Sequence, residues 1–162
     1  MDVTILDAAA RDLAEIRELF LEYADWLGED LCFQGFEGEL AELPGDYTAP
    51  KGALLIARSA DASAHPAGCI ALRPFDEKAG EIKRLYVRPQ FRGTGLGEKL
   101  AVRTLEVARA AGYKRLVLDT LDRMDAAVRL YGKLGFRPIP AYYENPMQGA
   151  LYFELYLDPR IR

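Results

Sequence analysis

The run Gln90-Phe91-Arg92-Gly93-Thr94-Gly95-Leu96-Gly97 sets three alternating glycines and one arginine between two different patterns. Before it lies the strand-like stretch Glu81 to Val87; after it an amphipathic helical stretch reaches about Ala111. A helix start there points free backbone N–H groups, reinforced by the helix dipole, at whatever lies in front of it. Glycine has no Cβ, so a ligand can approach the backbone closely. Three glycines also weaken a helix start, so a reason for them is expected. The chemistry that fits is the cradling of a diphosphate. Two familiar phosphate loops can be tested against the spacing. A Walker A loop fails, because Lys99 follows Glu98 and precedes Leu100. A G-x-G-x-x-G dinucleotide loop fits at Gly93 and Gly95 but meets Glu98 at its third glycine, although Asp119 stands roughly where a ribose-binding acid belongs. A Gly-rich turn with no ligand is the plainer alternative.

The pattern that remains is Q-x-x-G-x-G, filled by Gln90, Gly93 and Gly95. It resembles the acyl-CoA loop of the GNAT superfamily of N-acyltransferases. Glu81 to Val87 looks like the fourth strand of that family, and Ala127-Val-Arg-Leu-Tyr-Gly-Lys-Leu-Gly-Phe136 looks like its late helix, where A-x-x-L-Y-x-x-x-G-F recurs. The order and spacing of these pieces match across about residues 68–157. The resemblance implies acetyl-CoA as co-substrate, no metal, and transfer of the acetyl group to an amine by direct attack. It also implies that Arg92 and the N–H groups of Gly93, Thr94, Gly95, Leu96 and Gly97 hold the pyrophosphate. Main-chain groups of Leu85, Tyr86 and Val87 would meet the pantetheine. One position departs from the pattern. Family members often carry Asn three residues before the alanine that matches Ala127, and here Met124 stands there. That contact is missing or is supplied by Asp122 or Asp125, which leaves a non-catalytic acyl-CoA sensor as an alternative.

Acyl transfer to an amine needs a base, a polarised thioester and a proton for the leaving thiolate. A lysine-like amine has a pKa of about 10.4, so at neutral pH something must accept its proton. The resemblance implies Glu81 as that base; an ordinary carboxylate pairing Lys83, two residues on and on the same strand face, is the plainer reading. It likewise implies Tyr131 as the acid that protonates the thiolate, against a core tyrosine packed between Ala127 and Leu134. Arg73 and Arg84 are possible clamps for an acceptor carboxylate, or exposed arginines at strand ends. Phe33 and Phe36, with Tyr47, sit off any regular period in the stretch Leu31 to Gly52 and read either as a substrate-side loop or as a satellite cluster beneath it. The loop Tyr142-Tyr143-Glu144-Asn145-Pro146 can close over an amine through its rings and its acid. The acceptor expected is a small-molecule amine such as an amino acid or polyamine, with a protein N-terminus or lysine as the alternative.

The elements that must position these residues follow from periodicity. Val3 to Leu6 reads as a strand. Asp12, with Glu15 three residues on, reads as a helix start, and Leu13, Ile16, Phe20, Tyr23 and Leu27 recur at helical spacing. A short helix is possible at Glu37 to Leu43. Ala53 to Arg58 and Gly68 to Arg73 form a strand pair, Arg115 to Asp119 an apolar strand reached by a parallel crossover, and Met124 to Leu134 a helix ending at Gly135. Phe136 to Ile139 begins another strand, and Leu151 to Leu157 alternates cleanly. The expected fold is one α/β (α+β) domain over residues 1–162, a mixed, mostly antiparallel sheet with helices on both faces. Leu151–Leu157, taken as an edge strand, could pair two chains into a homodimer.

Composition agrees. The 162 residues are half hydrophobic and 28% charged, as in a globular domain. A net charge of −4 argues against nucleic-acid partners and slightly favours cationic substrates. Cys32 and Cys69 have no metal-ligand spacing and read as buried reduced thiols. His65, the one histidine, falls in a polar connection and builds no triad. No apolar run approaches membrane length and the first residues lack signal-peptide character, so no membrane partner and a cytoplasmic location are expected.

Overall fold

Alternation along the central strands sends side chains to two separate cores. Ala53–Ser59 (β2) places Leu55 and Ala57 in one cluster, and Leu54 and Ile56 in the other. The first cluster is closed by Leu96–Ala110 (α3) and Asp125–Lys133 (α4), which bring Leu96, Leu100, Leu105, Ala108 and Tyr131. Leu13–Leu27 (α1) and Phe36–Glu42 (α2) close the second with Ile16, Leu19, Phe20, Leu27 and Phe36. The computed structural model describes residues 2–158, and the side chain of Phe33 lies outside the described residues.

With Val3–Asp7 (β1), Pro66–Pro74 (β3), Ala79–Val87 (β4), Arg115–Leu121 (β5), Arg137–Ile139 (β6) and Ala150–Tyr156 (β7), the sheet runs β1-β2-β3-β4-β5-β7-β6. Every neighbouring pair is antiparallel except β4 and β5. That parallel pair is joined through α3, as a crossover requires. The expected mixed sheet, with helices on both faces, is the observed one.

Two features of β4 matter for the site. Its pairing with β5 covers only Ala79↔Arg115, Gly80↔Leu116 and Glu81↔Val117, after which the strands part. Its pairing with β3 shifts between Cys69↔Tyr86 and Ala71↔Lys83, so two residues of β4, Arg84 and Leu85, oppose the single Ile70. That bulge puts Arg84 at φ 62°, a left-handed conformation uncommon outside glycine.

Several expectations change. β7 is not an edge strand: β5 pairs all of Ala150–Tyr156, and β6 pairs Tyr152, Phe153 and Glu154 on its other side. Asp12 and Glu15 do not form a capping box. Asp12 accepts the Ala9 N–H at 2.7 Å, and both acids take Arg58 of β2, with Asp12 Oδ1 at 2.6 Å. Burial alone would raise the Asp12 carboxyl, but the Ala9 amide and Arg58 outweigh it and its pKa is lowered. Cys32 is exposed, not buried, while Cys69 is fully buried and burial pushes its thiol up.

Gly68 of β3 has a packing reason that the sequence does not announce. A Cβ there would lie 2.5 Å from the Tyr86 carbonyl oxygen and 3.3 Å from the Val87 Cα, both backbone atoms that cannot rotate away. Gly68→Ala is therefore expected to lower stability by about 1–3 kcal/mol, read as a fall in the thermal midpoint.

Candidate active site

The parting of β4 from β5 opens a cavity of about 470 Å³ along the middle of the sheet. One wall is Ile82 to Val87 of β4; the other is Asp119 to Leu121 of β5. Beyond Glu81 the side of β4 that faces β5 has no ladder partner, so its main-chain groups are presented to the cavity. Leu85, Tyr86 and Val87 line it, and the Val87 carbonyl already accepts Arg92 Nε at 2.9 Å.

The glycine loop forms one end of this cavity. Gly93 and Gly95 take φ 78° and 83°, and no atom lies within 4 Å of where a Cβ would stand on either. Their conformation, not crowding, selects glycine, and it leaves an open cradle in front of α3. Gly95 caps α3, whose first N–H groups have no intrahelical acceptor. Arg92 lies beside them, with its guanidinium 5.0 Å from the centre of the Trp26 ring and 5.7 Å from that of Tyr86. Leu96 and Gly97 also line the cavity. The Thr94 hydroxyl turns back to the Phe91 carbonyl at 2.6 Å, so its main-chain N–H is the group it offers at the loop. An open concave loop, free donors and a fixed cation suit a pyrophosphate.

Tyr131 enters the same cavity from α4, beside Met124, Ala127 and Leu130. It is 5% exposed and packs edge-on against Phe136 at 5.4 Å. Burial raises its pKa, so the phenol keeps its proton. Its hydroxyl makes no hydrogen bond among the described residues, which leaves that proton for a ligand. Met124, at the helix start where the family pattern has Asn, presents a thioether to the wall.

A second cavity, about 420 Å³, opens on the other side of Lys83 and Gln34, the two residues that line both. Asp46, Arg73, Phe75, Glu81, Tyr142 and Tyr143 are among the residues that form its walls. Glu81 pairs with Arg73, not with Lys83: Oε1 accepts the guanidinium Nε at 2.9 Å, with Nη2 in ion-pair contact at 2.9 Å, and Oε2 accepts the Tyr142 hydroxyl at 2.7 Å. The loop after β6 is pinned onto the strand ends. Tyr143 donates to Asp119, Asn145 Nδ2 donates to the same oxygen at 2.9 Å, and the Tyr152 hydroxyl holds the Tyr143 carbonyl at 2.9 Å. Burial and the neighbouring carboxylates raise both tyrosine pKa values. Glu144 points to solvent and takes no part in the wall.

Arg84 and Phe36 are corrections. The Arg84 side chain is 1% exposed, and Glu39 takes it with both oxygens, Nε at 2.9 Å and Nη2 at 2.8 Å. Gln34 Oε1 takes Nη1 at 2.8 Å, so Arg84 has no fork left for a substrate. Phe36 packs beneath it in the second core, 5.1 Å from the guanidinium carbon, and lines neither cavity. Trp26, Gln34, Lys83 and Asp119 are among the wall residues that the sequence does not single out for this chemistry. Trp26 and Gln34 lie in α1 and the loop after it, far in sequence from the motifs. Lys83 and Asp119 stand on motif strands, and their nearness to the glycine loop was the available signal.

Comparison with known proteins agrees with this geometry. Residues 13–136 match the model of the acetyltransferase (GNAT) family. An uncharacterized N-acetyltransferase of Schizosaccharomyces pombe is 40% identical over 146 residues, 90% of this chain and 88% of its own. A GNAT-family acetyltransferase structure from Staphylococcus aureus superposes with TM-score 0.80 at 19% identity, covering 97% of this chain and all of the other. The PaiA N-acetyltransferase of Thermoplasma acidophilum, solved with coenzyme A, gives 0.72 at 19% identity over 96% of this chain and 99% of its own. Among the described residues no helix is long and apolar enough to cross a membrane.

Proposed function

This chain belongs to the acetyltransferase (GNAT) family and is an acetyl-CoA-dependent N-acetyltransferase, and we propose that it acetylates the primary amine of a small molecule. The observation that supports the acceptor's size is the second cavity, which is closed on one side by a loop pinned at Tyr142, Tyr143 and Asn145. A protein terminus or lysine would need that side open. Two cavities that share only Gln34 and Lys83 suit two small partners meeting at one seam.

In this reading the glycine loop, Arg92 and the start of α3 hold the pyrophosphate, and the exposed main chain of Leu85 to Val87 orients the pantetheine. When bound, acetyl-CoA supplies an acetyl thioester. Glu81 takes the proton of the acceptor ammonium. Of about four lone-pair sites on its carboxylate, Arg73 and Tyr142 fill two, which leaves room for an amine N–H. Tyr131 carries the proton that the departing sulfur needs. No covalent intermediate on the protein is invoked, since Cys69 is buried beneath α1 with its thiol directed at the Arg84 carbonyl.

The test is thiol release from acetyl-CoA, followed with a thiol reagent, across amino acids, polyamines, aminoglycosides and peptides. Release with a small amine and not with peptides is the expected result. Preference for peptides would overturn the acceptor size, and CoA binding without release for any amine would move the protein to the sensor reading, with Met124 the first residue to exchange for Asn.

A further inference from the structure

We infer that the acceptor carries a carboxylate beside its amine, and that Lys83 together with Arg73 receives it. The inference rests on the acetyltransferase reading above and narrows its substrate class.

Hydrogen-bonding capacity on the walls of the second cavity is only partly used. Glu81 accepts one hydrogen bond from Arg73 and one from Tyr142, and Asp119, behind Lys83, accepts Tyr143 and Asn145 on Oδ2. Asp46, exposed at the rim, takes no donor among the described residues. The cations hold spare donors too, and Lys83 does so in a buried position. Among the described residues the Lys83 ammonium makes one hydrogen bond, to Gln34 Oε1 at 3.1 Å, and its nearest carboxylate oxygen, on Asp119, stands 3.7 Å away, too far for a second. Two of its three N–H groups are left, on a side chain only 4% exposed. Arg73 commits Nε and Nη2 to Glu81, and its Nη1 meets no acceptor among the described residues. The cavity therefore offers spare charged donors on its inner wall, at Lys83 and Arg73, with open acceptor positions on Glu81 and, at the rim, on Asp46.

A ligand that uses both sets brings N–H donors for the acids and a pair of anionic oxygens for the cations. An amine with a carboxylate does so: the nitrogen faces Glu81, and the oxygens face Lys83 and Arg73. A polyamine does the reverse, setting further ammonium groups against two cations in a partly buried space, where like charges repel strongly. Lys83 is also held in a way that suits the role. Burial lowers its pKa, so an incoming anion favours the ammonium form that binds it. Gln34 fixes its position from the far side, its Oε1 shared with Arg84 and its Nε2 donating to Tyr143 at 3.2 Å.

The experiment compares matched acceptors with the purified protein and acetyl-CoA: an amino acid, its carboxamide, its decarboxylated amine, and spermidine. The expected result is a kcat/KM at least roughly 100-fold higher for the free acid than for its amide. Lys83→Met and Arg73→Gln are expected to draw that ratio toward one, mainly through KM of the acid, with Arg73→Lys recovering part of it. CoA affinity of each variant reports whether the fold survives. Equal or better use of the amide or of spermidine overturns the inference, as does an unchanged acid-to-amide ratio in both variants. Should no amine be turned over, thermal stabilisation by the acceptors with CoA present still decides: a shift with the acid and none with its amide upholds the carboxylate site, and no shift with either overturns it. Failure of transfer and failure of the carboxylate site are thereby separate results.

Discussion

Tyr131→Phe is expected to lower kcat by roughly 100-fold, the lower end of what general acid catalysis contributes, while CoA affinity stays within about threefold of the original. The contrast between the two readouts is the point. The ring keeps its edge-on contact with Phe136 and its place in the first core, and the hydroxyl that is lost had no partner among the described residues. Removing it leaves no orphaned group, so stability should barely move. A core tyrosine with no chemical role predicts unchanged kcat; a proton donor predicts the loss. The pH profile gives a second check. Burial raises the phenol, so its proton is retained beyond the ordinary value of about 10, and Tyr131 should impose no alkaline fall in rate below that.

Glu39→Leu is expected to be the most damaging single change to stability, about 3–5 kcal/mol, or roughly 10 °C in thermal midpoint for a chain of this size. The cause is Arg84. Its side chain is buried on the bulge, above Phe36 and Tyr23, and Glu39 supplies both of the oxygens that neutralise it. Without them a guanidinium is left in the core with only Gln34 Oε1 as partner. Taking out both charges, as Arg84→Met with Glu39→Leu, is expected to recover much of the loss, because a buried pair contributes far less than an unpaired member costs. Denaturant midpoints of the two single variants and the double variant close the cycle. An additive double variant would mean that the pair is not coupled.

Much of the scaffold was legible in the chain, for physical reasons. Strands β2 to β5 and helices α1, α3 and α4 carry apolar periods long enough to be read, and the glycine loop stood out because alternating glycines at a helix start have few other causes. The resemblance pointed to Tyr131, which lines the same cavity as the glycine loop. What could not be read was pairing across long separations. Arg84 meets Glu39 and Glu81 meets Tyr142 from elements 45 and 61 residues apart. Nothing in the local pattern tells a clamp from a buried ion pair. The bulge was hidden because its left-handed residue is an arginine, where a glycine would have been the signal. The place of β7 was missed because a cleanly alternating last strand suggests an edge, while the order β5-β7-β6 inserts it inside the sheet.

The three-residue seam between β4 and β5 also bears on how the molecule holds together when heated. The sheet is in effect two plates, β1 to β4 and β5-β7-β6, sharing few cross-strand hydrogen bonds, with α3 laid over the first plate against β2, β3 and β4. A ligand seated in the gap touches both plates at once and acts as a strut between them. Melting of this protein is then a two-component property, in which free co-substrate concentration enters the midpoint directly by mass action.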